Sequence, residues 1–175
     1  MDAFYRTCTY IAADFDSDKN AVDQLHKWND SYYLSLSFKD AHDLQSSRDD
    51  SLYCSIKSSL KMRIDYSKTF VLIIGSHTKS ITKGGCQNCN SYNSYNQSCA
   101  RGHSVDYRSY IEYECDKAVE AGIKIIVLYK STTVDKSKCP SIVKNLGYHV
   151  AMIYDKNGEY YWDYNAVKKV FDSEK

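Results

Sequence analysis

The sequence predicts an α/β fold in three layers, a doubly wound parallel sheet of five strands with helices on both faces and one Cys-rich loop insertion. Two observations carry that prediction. The runs "TFVLIIG" (69–75) and "IKIIVLY" (123–129) are almost continuously apolar, the pattern of strands covered on both faces. Strand-like runs also alternate with helical patterns, which implies parallel pairing through right-handed crossovers. Taken in order, "TCTYIAA" (7–13) is the first strand, and Asp16, Ser17 or Asp18 can cap a helix carrying Val22, Leu25 and Trp28. "YYLSLSF" (32–38) alternates and suits a second strand nearer an edge. Asp50 or Ser51 precedes Leu52, Ile56, Leu60 and Ile64, whose fourfold spacing predicts the next helix. The two apolar runs are strands three and four, with a helix over about 109–122 between them. A further helix, a fifth strand "HVAMIY" (149–154) and a last helix from about Asp163 complete the order. "KNGEYYWDY" (156–164) reads as a turn and an aromatic closing segment that packs on the core.

The chain has 175 residues, enough for one domain with a sizeable core and too few for two, so 1–175 is expected to be a single domain with an insertion at about 78–104. Lys and Arg number 23 against 22 Asp and Glu, and no basic run is long enough to follow a phosphate backbone, so no nucleic-acid partner is expected. The opening "MDAFYRTCTYIAADFD" has no uninterrupted apolar core of a signal peptide, and no apolar run approaches the ~20 residues of a bilayer span. The expectation is a cytoplasmic protein without a membrane partner. Seven cysteines is an odd number, and Cys8, Cys54 and Cys115 sit in apolar stretches, which argues for reduced thiols rather than a disulfide scaffold.

The helix after the third strand, "SYIEYECDKAVEAG", carries two glutamates, Glu112 and Glu114. Residues two apart on a helix point about 200° apart, so the pair must do different work. Glu112 follows Arg108 by four and Ser109 by three, which fits either an ion pair or the acid of a capping box. Glu114 has Lys117 as its only local cation and continues a row with Tyr107 and Tyr110, a carboxylate at the end of an aromatic wall. In a doubly wound sheet, ligands bind at the carboxyl ends of the strands. That edge gathers Ala13, Asp14, Phe15 and Asp16 after strand one, Ser37 and Asp40 after strand two, and Ser76 and His77 after strand three, next to the first turns of the Glu114 helix.

Several other chemistries are not encoded. The chain has no G-x-G-x-x-G after a strand, no G-x-x-x-x-G-K-[ST] loop and no G-x-S-x-G elbow. The polar stretch 78–104 is longer than the connections usual in compact domains and reads as an insertion. Within it Cys86, Cys89, Cys99 and His103 give C-x2-C-x9-C-x3-H, a donor set suited to a tetrahedral structural zinc that would clip the loop. A mobile loop of free thiols, or a lid, fits the same residues. His26 and His42 read as ordinary surface groups, and the seventeen tyrosines are too scattered for a stacking platform.

The succession "AADFD", "VLIIGSHT" and "YIEYECDKAVEAGIKIIVLY" over roughly 5–155 resembles a TIR domain, and more narrowly is similar to the TIR-like proteins of Thoeris anti-phage defence. In that family an aromatic residue four positions before a glutamate on the third helix, followed by a small-Gly-x-Lys-apolar strand, marks the catalytic carboxylate, and Tyr110 and Glu114 match that spacing. Many members have Trp where this chain has Tyr110, and the Cys-rich insertion is not part of the common core. The resemblance implies a flavodoxin-like TIR fold. It also implies an enzyme that takes NAD as substrate, needs no cofactor, cleaves the nicotinamide–ribose bond and makes a cyclic ADP-ribose-type signal for a separate effector protein. Glu114 is then catalytic, with Ala13, Asp14, Phe15, Asp16, Ser37, Asp40, Ser76, His77, Tyr107 and Tyr110 around the substrate, and self-association completes the site. A non-catalytic interaction module of the same fold is the alternative. A phosphate receiver ranks third, because Gly75 and Ser76 stand where its acceptor aspartate belongs.

Overall fold

The computed structural model describes residues 6–41 and 52–174. Four parallel strands form the central sheet in the order β1-β2-β5-β6: β1 (Cys8–Ala12), β2 (Ser67–Ile74), β5 (Lys124–Tyr129) and β6 (Tyr148–Ala151). Between β2 and β5 lies a small antiparallel pair, β3 (Tyr92–Asn93) and β4 (Ser98–Cys99). The helices are α1 (Lys19–Asn29), α2 (Tyr53–Asp65), α3 (Tyr110–Glu120) and α4 (Tyr164–Asp172).

Side chains alternate across a strand, and here the alternation sorts two cores. Tyr10, Phe70, Leu72 and Val127 face Ile64, Ile111, Cys115 and Ala118, the buried stripes of α2 and α3. Ile11, Val71, Ile73, Ile126 and Leu128 face Leu25, Trp28, Val167 and Val170 of α1 and α4. This is the expected three-layer α/β/α arrangement, with β2 and β5 buried on both sides as their continuous apolar runs require. Each such aliphatic side chain contributes about 1.5–3 kcal/mol relative to exposure.

Among the described residues the sheet has four strands, not the five expected. Segment 32–38 is not a strand, for three local reasons. Tyr32 and Tyr33 are 92% and 88% exposed, Ser37 has φ 55, and the Asn29 side chain holds both backbone groups of Phe38 at 2.8 and 2.9 Å. A left-handed residue interrupts an extended run, and a side chain that takes the backbone groups leaves none for a ladder. What remains is an isolated bridge between Asp40 and Thr9, with Thr9 N–H donating to Lys39 O at 2.8 Å.

The helix expected between β5 and β6 is replaced by a 3-10 turn over Lys136–Lys138 and a run of turns to Gly147 (φ 72). "HVAMIY" breaks at Met152: its second half becomes β7 (Ile153–Lys156), paired antiparallel with β8 (Glu159–Trp162). Asn157 and Gly158 join them with φ 56 and 83, the left-handed pair a two-residue hairpin turn needs. Of the aromatic closing segment, Trp162 and Tyr164 pack on the α1/α4 core, whereas Tyr160 and Tyr161 are exposed. The proposed helix caps Asp50 and Ser51, and His42, lie outside the described residues. Among those described, no helix is long and apolar enough to cross a membrane.

Candidate active site

The site is built on the start of α3. Ser109 Oγ accepts from Glu112 N–H at 3.2 Å, and Glu112 Oε2 accepts from Ser109 N–H at 2.8 Å, a reciprocal capping box. Of the two roles open to Glu112 in sequence, this is the one adopted. Arg108 pairs instead with Asp106 at 2.9 Å and Asp116 at 2.6 Å. With the register of α3 fixed in this way, Glu114 turns inward and is only 6% exposed. Its Oε1 accepts a hydrogen bond from the hydroxyl of Tyr10 in β1, which is fully buried. Burial and then the Glu114 charge push the Tyr10 phenol well above its ordinary range, so it stays protonated and donating.

Glu114 lies in a cleft of about 530 Å³, within the range of roughly 300–1,000 Å³ usual for small-molecule sites. One wall is the loop after β1, Ala13 to Asp16. The second is a stripe of α2, Tyr53, Ile56, Leu60 and Arg63, at helical spacing. Tyr110 and Ile111 of α3 form the third, and Ile81 and Lys83 close one end. Tyr110 is set edge-on to Tyr53, with ring centres 5.7 Å apart. Burial raises its phenol pKa, and its hydroxyl has no hydrogen-bond partner among the described residues.

The loop over the strand ends is held from within. Asp14 accepts from Ser17 Oγ and, at 3.3 Å, from Asp16 N–H. Asp18, fully buried, lies against Gly75 at the end of β2, so close that a Cβ on Gly75 would fall 2.1 Å from Asp18 Oδ1. Lys130, after β5, stands 2.8 Å from the same oxygen in an ionic contact outside hydrogen-bond geometry, and its Nζ also donates to Ser17 O at 2.7 Å. The ends of β1, β2 and β5 are thereby tied together under the cleft.

Of the residues expected at the site, Ala13, Asp14, Phe15, Asp16, Tyr110 and Glu114 are brought together. Ser37, Asp40, Ser76, His77 and Tyr107 are not among the described lining residues. Ser37 belongs to the segment that fails to form a strand and contacts Ser35 Oγ at 3.1 Å. Asp40 is buried beside β1, 2.9 Å from His26 Nε2. Ser76 and His77 contact each other at 2.9 Å in an exposed turn. Tyr107 precedes the helix instead of sharing its face; it is half exposed, and its hydroxyl meets that of Tyr92 at 3.2 Å. Sequence reasoning missed Tyr10, Arg63 and Lys83. A charge at the position that continues an apolar helical stripe was the available sign for Arg63.

Cys86, Cys89, Cys99 and His103 line a separate small cavity together with Cys54, Tyr53 and Tyr92, and Cys86 Sγ accepts from Asp106 N–H at 3.2 Å. The thiols are free, and no three His, Cys, Asp or Glu side chains among the described residues stand in a geometry that would hold a metal ion.

Residues 5–83 match the family model described as Thoeris protein ThsB, TIR-like domain. Over that stretch the chain is similar to the Thoeris TIR-like domain. A search of curated proteins finds no match. The TIR-like stretch covers β1, α1, α2 and β2, and so supplies Tyr10, the 13–16 loop and Arg63. Glu114 comes from α3, beyond it, and reaches the TIR-like half through the Tyr10 hydroxyl.

Proposed function

We propose that the chain is an NAD-consuming TIR enzyme that breaks the bond between nicotinamide and ribose. The observation that carries this reading is a buried carboxylate, Glu114, held by a buried phenol in a cleft large enough for a nucleotide. Departure of nicotinamide leaves positive charge on the ribosyl C1 and ring oxygen, and a fixed carboxylate in a site of low dielectric stabilises that charge as it develops. Nicotinamide leaves as a neutral amine, so a second carboxylate acting as strong general acid is not required. Phe15, Tyr53 and Tyr110 offer apolar surface for the rings and keep water from the ribosyl cation. Under such exclusion an oxygen or nitrogen of the same ADP-ribose attacks in place of water, giving a cyclic product. Within Thoeris defence that product serves as the signal to a separate effector. The reading includes self-association that completes the site and NAD as substrate, with no added cofactor.

The test is incubation of concentrated protein with NAD, with nicotinamide quantified and the product identified by mass spectrometry and chromatography. Wild type releases nicotinamide, and Glu114→Gln, which keeps shape and removes charge, lowers the rate about 100-fold or more. An unchanged rate in that variant assigns Glu114 a structural role and overturns the proposal.

A further inference from the structure

Arg63 is a buried cation of the cleft whose chemistry the preceding reading leaves unused. It is 7% exposed, it lines the cleft from the last turn of α2, and its Nη2 is buried with no hydrogen-bond partner among the described residues. A guanidinium carries five donors and is always charged, so an orphaned one in the interior is costly to folding. Elsewhere in the same core the chain satisfies its buried cations: Lys57, 4% exposed, donates to Arg108 O at 2.6 Å and stands 3.4 Å from Asp106. Arg63 is therefore an exception in its own helix. Its charge also reaches the Tyr10 hydroxyl that holds Glu114, which places it beside the reacting end of the cleft.

We infer that Arg63 is the anion anchor of the cleft, and that the group it takes is a phosphate oxygen of a phosphorylated ligand. A phosphate entering the cleft meets the guanidinium that lines it and matches its fork. Among the described residues no carboxylate bonds Arg63 Nη2: of those lining the cleft, Asp14 bonds within its own loop and Glu114 accepts from Tyr10. Arg63 and Tyr53 stand ten residues apart on one stripe of α2, a run of about 15 Å, so a ligand anchored at Arg63 extends along the helix toward the Tyr53–Tyr110 pair. The inference rests on the NAD reading for the identity of the ligand and deepens it by assigning the phosphate contact.

Binding separates the two. ADP-ribose, which carries a pyrophosphate, and nicotinamide riboside, which carries none, are titrated calorimetrically into the full chain as wild type, Arg63→Met and Arg63→Lys, alongside thermal melts. The expected result is ADP-ribose affinity lowered about tenfold or more by Arg63→Met and partly restored by Arg63→Lys, with nicotinamide riboside affinity unchanged. The melting temperature of Arg63→Met should hold or rise, because an orphaned charge is replaced by an apolar chain of similar length. ADP-ribose affinity unchanged by Arg63→Met, an equal loss for both ligands, or a fall in melting temperature without a loss specific to ADP-ribose would each overturn the anchor. If ADP-ribose binds through Arg63 while NAD yields no nicotinamide, the anchor stands and the enzymatic reading falls. If nicotinamide is released and Arg63→Met binds ADP-ribose like wild type, the reverse holds.

Discussion

At the scale of single residues, the contact between Tyr10 and Glu114 joins the first strand to the third helix, 104 positions away in sequence. Tyr10→Phe removes the donor and keeps the ring, leaving a buried carboxylate oxygen without that bond. The expected cost is about 1–3 kcal/mol of stability, read as a lower urea midpoint, together with slower nicotinamide release at an unchanged KM. A variant with wild-type midpoint and rate would show that the bond is not made in solution. Glu114 stood out as a candidate in the sequence because it continues an aromatic row at the carboxyl edge of the sheet, and because its spacing from Tyr110 resembles that of the TIR family. Tyr10 was not, because an aromatic residue in a buried strand looks like core whether or not its hydroxyl has work to do. The same ambiguity hid Arg63, since a helical stripe read by its apolar members passes over the charged one.

Among the elements, α3 shows how local chemistry sets a functional register. The Ser109–Glu112 box satisfies donors at the helix start and so decides which way Glu114 faces. Ser109→Ala should lower stability by about 1 kcal/mol in chemical denaturation and should also reduce nicotinamide release. Loss of stability with full activity would detach the cap from the site. The hairpin β7–β8 depends on Gly158 at φ 83, so Gly158→Ala should cost about 1 kcal/mol, while an unchanged urea midpoint would mean the turn adopts another form. Both elements were written in short-range sequence: a Ser-x-x-Glu and an Asn-Gly between aromatic runs. The strand expected at 32–38 was not formed, because alternation says only that a segment suits an edge. Whether the edge is used is decided by competitors such as the Asn29 amide.

On the scale of the whole molecule, two charge networks hold the layers in place. Asp18 and Lys130 tie the ends of three strands beneath the cleft. Lys130→Met strands a fully buried carboxylate and should cost about 3 kcal/mol in a urea titration; a loss below about 1 kcal/mol would mean that Asp18 is satisfied without it. The second network joins Lys57 of α2 and Asp116 of α3 to Asp106 and Arg108. Burial alone would raise the Asp106 carboxyl, but the Arg108 hydrogen bonds and the Lys57 charge hold it at about 2, below the ordinary 3.8. A depressed carboxyl stabilises the fold above its unfolded value, so this contribution, reduced by solvent screening of a partly exposed group, is present above about pH 4 and lost as pH falls toward 2. The difference in urea midpoint between wild type and Asp106→Asn should therefore shrink over that interval, and a constant difference would locate the effect elsewhere. By itself the sequence determined the layers, the parallel sheet and the catalytic candidate, because burial patterns, caps and turn residues act over a few positions. Only the tertiary structure decided which polar groups share the cleft, that Tyr10 meets Glu114 and that Arg63 Nη2 is left without an acceptor among the described residues, because those outcomes depend on how distant segments fill one space.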